Sequence, residues 1–94
     1  MALVACEISN GLRESEATVA VREVAGDHQY LRVERDFLSQ EGGRFFLSVA
    51  LIQFDPTGAS ALIELPQEAD SGTSRLWVPA ANLKTHRNVE PVAS

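Results

Sequence analysis

Apolar and polar positions alternate with a period of two through the middle of the chain. From Tyr30 to Leu38 the residues Leu31, Val33 and Phe37 fall on one side, and Tyr30, Arg32, Glu34 and Asp36 on the other. That period places successive side chains on opposite faces of a pleated ribbon, so it predicts a strand with Leu31, Val33 and Phe37 inward. Arg35 sits on the apolar side, which predicts either a bulge that re-aims it or a point where the strand leaves the core. Thr18 to Val24 reads as a strand with Val19 and Val21 sharing one face, their β-branched side chains suiting extended backbone. Ala2 to Ile8, Ala59 to Leu65 and Arg75 to Val78 are shorter apolar runs that predict further strands.

Arg44 to Asp55 is different, because both of its faces are apolar: Phe45, Leu47, Val49 and Leu51 on one, Phe46, Ala50, Ile52 and Phe54 on the other. Such a strand needs cover on both sides. Bending round a small barrel supplies it, and so does burial in a subunit interface.

Turn chemistry separates these runs. Asn10-Gly11 and Ala25-Gly26-Asp27-His28 break the chain, and Leu12 to Glu16 is read as one helical turn or an open loop. Glu41-Gly42-Gly43 predicts a hairpin, since paired glycines supply the positive φ angles of a primed turn. Asp55-Pro56-Thr57-Gly58 carries the proline and glycine preferences of a type I turn. Pro66 ends a strand, and Gln67 to Ser74 forms a polar loop. Pro79 to Leu83 is expected to make one 3-10 turn, and residues 85–94 to form a flexible tail.

Strands joined by short turns make an antiparallel meander. We therefore expect an all-β fold of about five strands that closes into a small barrel, because a two-sheet sandwich needs about seven. At 94 residues the chain forms one domain. Its 45% hydrophobic and 22% charged residues are those of a folded globular protein, so disorder is not expected.

The strand and turn Leu76-Trp77-Val78-Pro79-Ala80-Ala81-Asn82-Leu83 resembles the end of Src-homology-type (SH3-like) small barrels, where a strand, a proline, a 3-10 turn and an apolar residue follow in this order. Ala2-Leu3-Val4-Ala5-Cys6-Glu7 is similar to that family's opening segment. Val4, Ala5 and Cys6 replace the aromatics that, in the eukaryotic family, help grip proline-rich peptides, and the tyrosine of the final turn is absent. The resemblance thus implies a fold, in the manner of bacterial domains with this barrel, rather than a ligand.

Net charge narrows the partners. Thirteen acidic residues against eight basic ones leave about −5, which disfavours nucleic acid; Lys84, His86 and Arg87 are the one basic grouping and read as a solvated tail. No apolar run reaches the roughly 20 residues a membrane span requires. Cys6 is unpaired, which fits a reducing, cytoplasmic setting. Leu3-Val4-Ala5-Cys6 matches a lipoprotein box in residue type, yet only Met1 and Ala2 stand before it in this sequence.

Candidate chemistry is sparse. His28 and His86 lack metal-ligand spacing, and Cys6 in an apolar strand reads as a small core residue rather than a nucleophile. Asp55, Glu64, Glu68 and Asp70 do not follow a calcium-loop pattern, so neither a metal nor another cofactor is expected. No nucleophile elbow or phosphate-cradling loop occurs, so no enzymatic activity and no small-molecule substrate are expected. Tyr30 and Trp77 remain, each opposite its apolar neighbours and each able to anchor a partner, or else to pack on the stems of Arg32 or Arg75. The loop from Glu68 to Arg75 is the companion candidate, with Arg75 expected to pair with Glu68 or Asp70. The expected role is a non-enzymatic protein-binding module using Tyr30, Trp77, Arg75, Glu68 and Asp70. The alternative is a structural domain that self-associates through strand 44–55.

Overall fold

Ala17, Val19 and Val21 are fully buried, as are Leu31 opposite Val19 and Val33 opposite Ala17, so one face of this strand pair lies against the core. The structure is a computed structural model that describes residues 2–10 and 14–85. Among these, eight strands form: β1 Ala2–Asn10, β2 Glu16–Arg22, β3 His28–Glu34, β4 Leu38–Glu41, β5 Arg44–Phe54, β6 Ser60–Glu64, β7 Arg75–Pro79 and β8 Leu83–Thr85. Every pairing is antiparallel, in the order β3-β2-β1-β5-β6-β7, with β4 added beside β5 and β8 beside β1. The sheet curls into an open half-barrel around one core that includes Val4, Leu47, Ile63 and Val78. No helix among the described residues is long and apolar enough to cross a membrane.

The strand count exceeds the expected number of about five because all six apolar runs form strands and two more arise for local reasons. The run from Tyr30 to Leu38 is not one strand: Arg35–Phe37 forms a 3-10 turn, and the chain re-enters the sheet as β4. Arg35 therefore marks the point where the strand leaves the core, and Phe37, expected inward, is carried to the surface at 42% exposure. At the other end, Leu83–Thr85 pairs with Ala2–Val4, so Thr85, expected to open the tail, is a strand residue instead. Residues 86–94, with His86 and Arg87, lie outside the described residues, as do Gly11 to Arg13.

The turns form as their residues dictate. Gly42 and Gly43 have φ of +57° and +81° and join β4 to β5 in two residues. Asp55 to Gly58 closes with Gly58 N–H donating to the Asp55 carbonyl at 2.9 Å, and the Asp55 carboxylate accepts from Thr57 Oγ1 at 3.0 Å and from Ser60 N–H at 3.3 Å. The Pro79–Leu83 expectation is met by a 3-10 turn over Ala80–Asn82.

β5 resolves its two apolar faces differently at its two ends. Leu47 and Val49 are buried in the core, while Phe46, on the opposite face, is buried beneath the side chains of Arg44 and Lys84, whose cationic groups lie 5.7 and 5.1 Å from its ring centre. Further along, the register shifts by one: Leu51 faces Ile63, but Gln53 faces Leu62. Ile52 is the extra residue, and it moves Phe54 out of the face it would share with Phe46 and Ala50. Phe54 now stands opposite buried Ala61, at the mouth of the half-barrel, and is 49% exposed.

Candidate binding surface

The outer face of β5, β6 and β7 carries a row of apolar side chains set by register. Trp77 is opposite Leu62, and Leu62 is opposite Gln53, with the bulged Ile52 beside it. Directly opposed residues on one face bring their Cβ atoms to about 5 Å, so Trp77, Leu62 and Ile52 form a continuous strip across three strands. Trp77 and Ile52 are each 38% exposed and Leu62 is half-buried. The strip continues at its β7 end, where Val24 N–H donates to the Trp77 carbonyl at 2.9 Å, which brings the exposed turn residue Val24 alongside. Sequence reasoning reached Trp77 through its parity. It missed Leu62, Ile52 and Val24, because only cross-strand register and the bulge assemble them.

Tyr30 stands apart from that strip. It is half exposed on β3 and its ring is tilted against His28, with centroids 6.4 Å apart. Among the described residues no ring pairing joins Tyr30 to Trp77. The loop from 66 to 74 does come to Tyr30: Asp70 N–H donates to the Tyr30 carbonyl at 2.7 Å, and Ser71 Oγ donates to Gln29 Oε1 at 2.7 Å. The first of these takes up one backbone carbonyl on the free edge of β3, a group that would otherwise be open to another chain. Within the loop, Ala69 is buried in the core and its N–H donates to the Thr73 carbonyl at 2.8 Å, while Gly72 N–H returns to Ala69. The segment is thus a folded cover for the sheet edge, anchored by one small apolar residue.

Ion pairing differs from the expected loop closure. Arg75 pairs with its cross-strand neighbour Glu64 at 3.5 Å, and Asp70 pairs with Arg32 at 3.9 Å. Neither Glu68 nor Asp70 meets Arg75 because strand register already gives Arg75 a carboxylate. Glu68 stays exposed in the loop. All these side chains are solvated, so each pair contributes at most about 1 kcal/mol. Asp55, Glu64, Glu68 and Asp70 do not converge, and no cluster of three or more potential metal ligands occurs among the described residues.

A second apolar feature lies where β4 and β6 both leave the same edge of β5. β4 ends its pairing at Leu47 and β6 begins at Ala50. The gap between them opens into a cleft of about 500 Å³ with Phe37 and Pro66 at its sides and Val49 and Leu51 at its base.

Cys6 is partly buried against the core, and that burial, reinforced by the neighbouring Glu7 charge, raises its thiol to about 11. At neutral pH it is a protonated, weakly nucleophilic group. Comparison with known proteins returned no match: no family model, no curated protein and no solved structure is similar to this chain.

Proposed function

We propose that this domain is a non-enzymatic protein-binding module whose contact surface is the outward strip of Trp77, Leu62, Ile52 and Val24. The observation that supports it is the placement of an exposed tryptophan in a registered apolar row on the solvent face of the sheet. A rigid aromatic anchor flanked by apolar neighbours is the composition of interface hot spots. Tyr30 and the loop carrying Glu68 and Asp70 form a polar flank to this surface rather than its centre. The order of elements at the C-terminus supports the finer reading of an SH3-like barrel of the bacterial kind: β7 leads through a 3-10 turn into β8, which pairs with β1. The single unpaired Cys6 supports a cytoplasmic location.

A Trp77→Asp variant provides the test. Immobilised wild-type domain should retain a partner protein that the variant loses, at unchanged thermal midpoint, and the purified partner should then bind about tenfold or more weakly to the variant. Identical capture by both proteins would remove the strip from consideration.

Self-association is the second reading, favoured by the exposure of Ile52 and Phe54 on the C-terminal half of β5. Phe46, on the same strand, is buried under Arg44 and Lys84 and is not part of that exposed surface. Sedimentation of wild type and Ile52→Asp across micromolar concentrations decides the matter: a dimer lost in the variant supports self-association, and a monomer throughout excludes it.

A further inference from the structure

Six basic side chains lie among the described residues, and the fold gives four of them an acceptor. Arg32 pairs with Asp70, Arg75 with Glu64, Lys84 with Glu41, and Arg35 donates to the Glu14 carbonyl at 2.6 Å. The remaining two, Arg22 and Arg44, make no ion pair or side-chain hydrogen bond within the described residues. They come from β2 and β5, far apart in sequence, yet both line one cleft of about 210 Å³ on the outer face. The small residues Ala5 and Ala20 line it too, together with Cys6, Glu7, His28 and Asn82. Arg44 and Asn82 also line a second cleft of about 380 Å³ that reaches Lys84 and Glu41, so the groove comprises two clefts that share these two lining residues.

We infer that this groove docks a short acidic segment of a partner protein, with carboxylates meeting Arg22 and Arg44. A guanidinium takes a carboxylate through two parallel N–H donors, a geometry that an unpaired, partly held arginine offers without rearrangement. Arg44 is already held by its stacking on Phe46. Glu7 and Glu41 limit the groove to a small positive excess, which suits a few carboxylates. A nucleic acid strand, by contrast, extends its phosphates beyond the groove over a surface whose total charge is −5. The groove shares no lining residue with the Trp77 strip, and the inference goes beyond the reading proposed for that surface.

Fluorescence anisotropy with a labelled hexaglutamate peptide tests this, with hexathymidine DNA as the competing polyanion. At about 0.01 M ionic strength, where charges act over about 30 Å, the peptide should bind wild type. The Arg22→Gln/Arg44→Gln double variant, which keeps both side-chain stems, should bind about tenfold or more weakly, whereas Arg75→Gln and Trp77→Ala should bind as wild type does. Loss of peptide binding in Trp77→Ala, equal binding by the double variant, no binding by wild type, or tighter binding of the DNA would each overturn the inference. A fold check by circular dichroism on each variant separates lost contact from lost structure.

Discussion

Two side chains carry pH dependence whose sign follows from their surroundings. For Asp55, partial desolvation opposes ionisation, but the Ser60 N–H, the Thr57 hydroxyl and the Gly58 and Ala59 N–H groups together win and hold the carboxyl below its ordinary 3.8. The charged form is favoured in the fold, so the stabilisation is present above that value and fades as pH falls through the lowered one. Asp55→Ala should therefore lower the thermal midpoint at pH 7, and the gap from wild type should close in strong acid. Cys6 works in the opposite direction. Burial lifts its thiol from 9.0 to about 11, so between those values the unfolded chain has lost a proton that the fold retains, and stability falls as pH rises. Thermal midpoints of wild type relative to Cys6→Ala should decline from pH 9 to 11, and alkylation of Cys6 at pH 7 should be slow. Tyr30 and Trp77 were legible as outward residues because parity alone assigns a face. Arg22 and Arg44 were not, since nothing local distinguishes an arginine that will find a carboxylate from one that will not.

At the scale of the element, hairpins were the clearest signal. Gly42-Gly43 sets the β4–β5 turn through two positive φ angles, and side chains at such angles are strained by about 1 to 3 kcal/mol. Gly43→Val should destabilise the domain by that order in urea titration, although nothing lies within 4 Å of the position a Cβ would take. Three features of the strands escaped the pattern. The one-residue shift at Ile52 has no glycine or proline to announce it, yet it reassigns Phe54 to the other face. Arg35 announces the break in β3, but the 3-10 turn over Arg35–Phe37 does not show, because Phe37 keeps the period even after the strand has ended. β8 consists of Leu83 and two polar residues, and only pairing with β1 makes it a strand. Ala69 illustrates the same limit in the loop: an alanine between two acids reads as solvent-exposed until tertiary packing buries it.

For the whole molecule, the all-β antiparallel architecture was legible because turn chemistry recurs between runs of period two. The curvature was expected from the two apolar faces of β5, and its physical basis is now visible: core on one side, and Arg44 and Lys84 over Phe46 on the other. The two ends of the sheet, β3 and β7, are tied by isolated bonds through Val24 and Asp70 rather than by a ladder, which leaves the half-barrel open and the Trp77 strip on its outside. The claim that this strip is a protein-contact surface is tested most directly by placing a photo-reactive amino acid at position 62, between Trp77 and Ile52, and irradiating cells that express the domain. A discrete crosslinked protein should form from position 62, disappear when Trp77→Asp is added, and be absent when the photo-reactive group is placed at position 67 instead. The same product from both positions, or none from position 62, would contradict the claim.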